Sequence, residues 1–183
     1  MREIRLHGKG GQGVVKASQI VVQAAENCGL FGQFIPFFGV ERKGSKVYGY
    51  LRVDRQEIRQ KTQIYYPDIV LILDDSLLNM PETYAGLKQG GTVIINTAKD
   101  FERLSIPDNA GQVIAVDGSS ISETQLGRNL PNTAMLGALA HALTLIDKEH
   151  LFNAIEQVFD VKNRQAAEIA YNSARVFNGE GVA

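Results

Sequence analysis

The stretch that decides the fold is Arg5-Leu6-His7-Gly8-Lys9-Gly10-Gly11-Gln12-Gly13-Val14-Val15. It passes from an apolar extended run, through a glycine-rich segment, into an apolar helical pattern. Glycine has no Cβ, so this backbone can adopt positive φ and expose its N–H groups. At the start of a helix, such N–H groups favour negative charge. The stretch predicts a tight strand-to-helix turn that faces an anion or a closely packed neighbouring backbone.

Composition narrows the class of protein. The chain has 183 residues, which suits one domain with a large core, and 19 Lys and Arg balance 20 Asp and Glu. This balance gives no electrostatic basis for binding nucleic acid or anionic membranes. The single cysteine, Cys28, excludes an internal disulfide, and it makes iron-sulfur or zinc binding by this chain alone unfavourable. No apolar run reaches the roughly 20 residues of a spanning helix. We expect a soluble cytoplasmic protein that binds no metal.

The order of elements predicts an α/β fold. A strand over residues 2–7 and a helix from Gln12 to Cys28, ended by Gly29, open a βαβ unit. A polar segment then separates each later apolar run from the next. Further strands are predicted at 30–38, 47–53, 69–73, 92–96 and 113–116, with a helix at 77–87 and a short helix after 117. We expect a doubly wound, mainly parallel sheet with helices on both faces.

The rest of the chain is predicted to be helical, without another strand. Helical spacing covers residues 132–146, 148–159 and 163–178. The first of these helices has two faces that can pack, since Gly137 and His141 lie opposite its leucine stripe. Small residues there let another backbone approach closely. This pattern predicts a subunit interface or a buried hairpin, with His141 as a packed histidine in that contact.

The glycine spacing Gly8-x-Gly10-x-x-Gly13 fits the dinucleotide-binding fingerprint only in part. A dinucleotide site needs an acid about 20 residues further on, at the end of the second strand, and residues 31–38 contain none. The turn also lacks the hydroxyl residue of a phosphate-binding P-loop. A free-standing nucleotide-binding module and an NAD-dependent dehydrogenase stay as alternatives. No acid pair or Ser/His/Asp arrangement supports a complete enzyme in this chain alone.

Two ordered motifs give a more specific indication. The glycine turn is followed by Phe37-Phe38-Gly39-Val40-Glu41-Arg42-Lys43-Gly44-Ser45-Lys46-Val47. Together they resemble the gamma subunit of the pyruvate and related 2-oxoacid:ferredoxin oxidoreductases, and the resemblance spans the whole chain, including residues 63–70. One departure is Lys43, where that family usually has arginine, and it weakens only roles that need a planar guanidinium.

The resemblance implies a subunit of a larger enzyme. In that family the gamma chain assembles with alpha, beta and delta chains. Alpha and beta hold thiamine diphosphate with magnesium, and delta holds iron-sulfur clusters. The complex converts a 2-oxoacid and coenzyme A to acyl-CoA and CO2, reduces ferredoxin, and can run in reverse. The resemblance implies one gamma-type domain over residues 1–183, with C-terminal helices from about 132, inactive in isolation. The second motif favours pyruvate, while indolepyruvate and branched-chain oxoacids stay open.

The resemblance and the residues together define the candidate site. Its first part is an anion-binding or partner-docking turn, where this chain would help to form a coenzyme A or substrate pocket: Gly8, Lys9, Gly10, Gly11, Gln12 and Gly13. Its second part is an interface with partner chains: Phe38, Gly39, Glu41, Arg42, Lys43, Gly44 and His141. We expect no cofactor bound by this chain alone. Self-association stays open.

Overall fold

A computed structural model describes residues 1–38 and 45–179, which contain one mixed seven-stranded sheet. The strands are β1 Arg2–Lys9, β2 Phe31–Phe38, β3 Lys46–Asp54, β4 Ile69–Ile72, β5 Gly91–Asn96, β6 Ala110–Val116 and β7 Arg175–Asn178. Their order is β2-β3-β1-β4-β5-β6-β7. The four central strands β1, β4, β5 and β6 are parallel, while β2, β3 and β7 pair antiparallel. The predicted strands are therefore confirmed, with an antiparallel hairpin at one edge.

Helices connect and cover these strands. They are α1 Val14–Asn27, α2 Pro81–Tyr84, α3 Gly118–Leu126, α4 Asn132–Leu139, α5 Lys148–Val158 and α6 Val161–Ser173, and two 3-10 helices span Asp75–Leu77 and Phe101–Arg103. The α/β class and the helical C-terminal segment are confirmed. Within the described residues, no helix combines the length and the apolar character that crossing a membrane requires.

The larger part of the core lies between the sheet and the helices α1, α4, α5 and α6. Alternate side chains of β1 and β4, such as Ile4, Leu6 and Leu71, are completely buried on this side. The opposite face of β4, β5 and β6 has a smaller core, in which Val70 and Ile95 pack under Leu77 and its neighbours. Short helices cover this second face.

The helix predicted over residues 77–87 is wrong in its length. The chain instead makes the 3-10 turn Asp75–Leu77 and the single helical turn of α2. Pro81 disfavours helical backbone at Met80, which is extended at φ −97° and ψ 119°. This break lets the segment follow the sheet closely.

The prediction of helix to residue 178 is also wrong. Helix α6 ends at Ser173, and β7 pairs antiparallel with the free edge of β6. Phe177 on β7 stacks on Phe101 with ring centroids 4.2 Å apart. Pairing and stacking supply partners that a local alanine-rich pattern does not reveal, so tertiary contacts override helical propensity here.

Both faces of α4 pack within this chain. Every residue of this helix is buried, and a Cβ built on Gly137 would lie 2.0 Å from the carbonyl oxygen of Ala167 on α6. The helix ends at Leu139, earlier than predicted, and turns follow it. His141 stacks on Tyr171 of α6, with centroids 4.1 Å apart, and its Nε2 lies 2.8 Å from the Tyr171 carbonyl oxygen. The small-residue face is therefore buried against α6, two helices further along the same chain.

Gly137→Val tests this close packing. The added side chain would collide with the backbone of α6, so we expect a loss of about 2–3 kcal/mol in the free energy of unfolding. Chemical denaturation of the full chain measures it, with the exposed helical change Lys162→Ala as the control. A loss in Gly137→Val no larger than in the control would contradict the packing.

Candidate functional site

The glycine turn lies where the sheet changes direction. Strand β1 extends through Gly8 and Lys9, and Gly13 precedes α1 with φ 77°, which only glycine adopts readily. Antiparallel β3 flanks β1 on one side and parallel β4 on the other. In open α/β sheets, ligands bind at the carboxyl ends of strands at such a switch point. The predicted turn therefore occupies the position where a site is expected.

Asp74, just after β4, fixes the turn. The Gln12 side-chain amide donates to Asp74 Oδ2 at 2.7 Å, and Lys9 Nζ lies 3.3 Å from Asp74 Oδ1. Gln12 Oε1 in turn accepts from the Lys9 backbone N–H at 2.8 Å. The Ser76 backbone N–H also donates to Asp74 Oδ1 at 3.0 Å. One carboxylate thus ties the ends of β1 and β4 to the turn.

These contacts change the pKa of Asp74. Partial burial by itself raises the pKa of this carboxyl. Hydrogen bonds from Ser76 and Gln12, together with Lys9, outweigh burial and hold the pKa of Asp74 below its usual range. The carboxylate is therefore ionised at neutral pH and neutralises part of the Lys9 charge.

An acidic cleft of about 300 Å³ opens beside the turn, at the carboxyl ends of the parallel strands. It is lined by Gln12, Leu73, Asp74, Asp75, Asn96, Thr97, Ala98, Asp117, Ser119 and Asn129. Three carboxylates in this lining disfavour a phosphate in the cleft. In residues 1–38 and 45–179, no group of three His, Cys, Asp or Glu side chains is arranged to hold a metal ion.

At the position of the ribose-binding acid in a dinucleotide site, this chain has a lysine, Lys46, which pairs with Glu82. Beside Gly8 and Lys9 lies the start of β3, where Lys9 pairs with Lys46. The second strand in sequence, β2, lies one strand further out, at the sheet edge. This geometry disfavours NAD for the same reason as the missing acid in the sequence.

Asn132, which no sequence motif singles out, lies against the turn. Its side chain is 1% exposed, and neither its amide nitrogen nor its oxygen has a hydrogen-bond partner among the described residues. A Cβ built on Gly13 would lie 2.5 Å from Asn132 Nδ2, so this amide lies directly against the turn. Asn132 is also the first residue of α4. In the sequence alone, Asn132 is marked only as a polar residue at the start of a predicted helix.

The two sequence motifs meet at the turn. The Gly10 backbone N–H donates to the Ser45 carbonyl oxygen at 2.8 Å. Phe38 pairs with Val47 through the backbone. The remaining predicted interface residues, Gly39, Glu41, Arg42, Lys43 and Gly44, lie outside the described residues. Their proposed contacts stay predictions, as do those of His141.

Beneath the turn, β1 buries Arg5 and His7 on the second face of the sheet. Arg5 Nε donates to His7 Nε2 at 2.9 Å, so the hydrogen of the His7 ring resides on Nδ1, which is buried and without a partner among the described residues. Desolvation, followed by the nearby Arg5 charge, lowers the pKa of His7 to about 3. His7 is therefore neutral in the folded chain.

Comparison with known proteins decides the family. The family model for pyruvate ferredoxin/flavodoxin oxidoreductase matches residues 3–174. The chain belongs to this family. It is 45% identical to the pyruvate/ketoisovalerate oxidoreductases common subunit gamma of Thermococcus kodakarensis, over 97% of this chain and 99% of that one. It is 40% identical to pyruvate synthase subunit PorC of Methanothermobacter marburgensis, over 96% and 98%.

Two solved structures have the same fold as this chain. Pyruvate oxidoreductase subunit PORC (EC 1.2.7.1) of Thermotoga maritima superposes with a TM-score of 0.83 at 31% identity, covering 96% of this chain and 97% of that one. A 2-oxoglutarate:ferredoxin oxidoreductase of Magnetococcus marinus shares the fold, with a TM-score of 0.73 at 19% identity. The match covers 93% of this chain but 30% of that longer chain. The same fold thus occurs as a separate subunit and as part of a larger polypeptide.

Asp74→Asn tests the clamp on the turn. A depressed carboxyl pKa stabilises the folded chain above the unfolded pKa, and this stability is lost as pH falls through the folded pKa. We expect the variant to lose about 1–2 kcal/mol at pH 7, and the difference from wild type to shrink near pH 3. Urea unfolding at both pH values measures it. Asp75→Asn, at a 45% exposed side chain, serves as the control and should change stability little. A pH-independent difference for Asp74→Asn would refute the clamp.

His7→Gln tests the buried neutral histidine. The folded pKa of about 3 lies below the ordinary 6.5, so the unfolded chain binds an extra proton below pH 6.5 and folding stability falls as pH falls. Within this window we expect wild type to lose about 1 kcal/mol per pH unit more than the variant. Stability measured from pH 7 to pH 4 checks this slope. Parallel curves for the two proteins would show that His7 titrates normally.

Proposed function

We propose that this chain is the gamma subunit of a multi-subunit pyruvate:ferredoxin oxidoreductase, active only within that complex. The observation that carries the proposal is the match to gamma subunits along almost the full length of both chains. The complex would oxidise pyruvate with coenzyme A to acetyl-CoA and CO2 and would pass electrons to ferredoxin. We treat residues 1–183 as one gamma-type domain and propose a cytoplasmic location.

The partners in this proposal are alpha, beta and delta chains, with ferredoxin as electron acceptor. The residues of this chain support a complex in which the partner chains, not this one, bind the cofactors. Its single cysteine, Cys28, packs against the core, and the described residues offer no metal-binding cluster. Thiamine diphosphate, magnesium and iron-sulfur clusters are therefore assigned to the partner chains.

The role of this chain is to present an anion-binding turn to coenzyme A. Within the turn, the Lys9, Gly10 and Gln12 amides already donate to Gln12 Oε1, the Ser45 oxygen and the Lys9 oxygen. The Gly11 and Gly13 amides make no hydrogen bond to another described residue and stand at the N-terminus of the 14-residue helix α1. These two amides are suited to a phosphate oxygen.

Asn132 adds a third donor and a second helix start. Burying an amide without a partner costs about 1–3 kcal/mol. The presence of such an amide beside Gly13 therefore favours a role in binding a group from outside this chain. A phosphate group over the turn would face the N-termini of α1 and α4 together, and it would accept a hydrogen bond from Asn132 Nδ2 once that side chain turns outward from Gly13. The acidic cleft on the Asp74 side would repel the same group. We therefore propose the Gly13–Asn132 side of the turn as the contact with coenzyme A.

Asn132→Leu tests this contact in the assembled complex. Leucine keeps the branching and the number of side-chain heavy atoms of asparagine, is bulkier, and removes the donor, so we expect the KM for coenzyme A to rise about tenfold with little change in the KM for pyruvate. Steady-state reduction of ferredoxin measures both constants. Asn129→Leu, on the acidic cleft, is the matched control. If Asn132→Leu leaves the KM for coenzyme A unchanged, the proposed contact is wrong.

Binding by the isolated chain separates the alternatives. Micromolar affinity for NAD would favour a dehydrogenase, whereas assembly of wild type with thiamine-bearing and iron-sulfur chains supports the subunit role. Gly11→Phe and Glu41→Ala extend the test to both motifs. A Cβ on Gly11 meets nothing within 4 Å, although φ 96° strains any side chain there. Normal assembly with unchanged kinetics in both variants would contradict the proposed roles of these motifs.

A further inference from the structure

The second face of the β2–β3 hairpin carries aromatic side chains that reach solvent. Phe37 on β2 pairs with Tyr48 on β3 and is 41% exposed. Its ring centroid lies 6.2 Å from that of Tyr48 and 6.3 Å from that of Tyr50. Helix α1 covers the opposite face of the same strands, near Gly49. Phe37 and part of Tyr48 therefore form an uncovered layer at this end of the sheet, beside the buried ring of Tyr50, which is 7% exposed.

Two tyrosines from the segment between β3 and β4 extend this layer. Tyr65 and Tyr66 are 65% and 69% exposed. Their backbone is nevertheless packed tightly, because a Cβ built on Gly86 would lie 2.0 Å from the Tyr65 carbonyl oxygen. Large aromatic side chains held on a fixed backbone are typical of binding surfaces, since they lose little conformational entropy on contact.

Arg5 holds this segment in place from beneath. Its Nη2 donates to the carbonyl oxygens of Thr83 at 3.0 Å and Ala85 at 2.7 Å, and Nη1 lies 3.5 Å from the Ile64 oxygen. These bonds join the sheet to the residue before Tyr65 and to the turn that packs against it. The displayed tyrosines are thus positioned by buried contacts.

The charge beneath the layer is uncompensated. Arg5 is 7% exposed, and its acceptors are neutral, namely the three carbonyl oxygens and His7. No carboxylate of the described residues forms a salt bridge with it. A partner that covers this face removes the remaining water near the guanidinium, which is unfavourable unless the partner supplies negative charge.

We propose that the aromatic face, formed by Phe37, Tyr48, Tyr65 and Tyr66, docks on another chain of the oxidoreductase through an apolar surface that carries a carboxylate. This inference rests on the proposed function. A large exposed aromatic patch indicates an interaction surface. A second copy of this chain does not fit, because a two-fold contact through this face would bring two Arg5 charges together.

The double variant Tyr65→Ser/Tyr66→Ser tests the docking face. The full-length chain, tagged, is produced together with the other chains of the complex, and the dissociation constant of this subunit is measured with the purified remainder. We expect at least a tenfold weaker association. The matched control is Val161→Ser/Ile169→Ser, which removes apolar side chains 51% and 39% exposed on α6. Equal affinity of the tyrosine variant and the control would overturn the proposal. Failure of wild type to associate would count against the proposed function itself.

Charge substitutions at Tyr65 test the nature of the partner. If the partner surface carries a carboxylate, Tyr65→Glu should weaken association about tenfold more than Tyr65→Lys. The opposite order would overturn the charge assignment. Sedimentation of the isolated chain should give a monomer. A wild-type dimer that Tyr65→Ser/Tyr66→Ser dissociates would assign the face to a second copy instead.

Discussion

The structure depends on holding a glycine turn open at the end of β1, and the Asp74 carboxylate provides that constraint. A glycine-rich turn has few side chains that could pack, so contacts with neighbouring strands must determine its path. Gln12 and Lys9 reach Asp74 at the end of β4, and Gly10 bonds to Ser45 at the start of β3. Both strands that flank β1 thus determine where the turn lies. The helix α1, which starts at this turn, carries much of the larger core.

Several polar groups on or beside β1 lack a hydrogen-bond or charge partner within this chain's described residues. Arg5 is buried without a carboxylate among the described residues, His7 leaves Nδ1 without an acceptor there, and the side chain of Asn132 is buried without a hydrogen bond to them. Each such group lowers the stability of an isolated chain. All three lie on or beside β1, at the two surfaces that we assign to coenzyme A and to a partner chain. The distribution is consistent with a subunit whose polar interior is completed by assembly.

Much of the fold followed from the sequence, because its signals are local. The glycine turn, helix α1 with its Gly29 end, and the apolar run at Ile69 predict their own structure from spacing and composition. The predictions failed where residues far apart in the sequence determine the local structure. Strand β7 exists because β6 offers a free edge and Phe101 a stacking surface, and α2 is short because Pro81 interrupts the segment. Asn132 could not be identified as a site residue, since only the fold brings it to Gly13.

We propose that the Gly13–Asn132 side of the turn receives coenzyme A within the assembled oxidoreductase. Amide hydrogen exchange of the complex, measured for residues 10–14 with and without coenzyme A, tests it most directly. We expect slower exchange at Gly11 and Gly13 when coenzyme A is present, and no change with NAD. Unchanged exchange at both amides at saturating coenzyme A would contradict it.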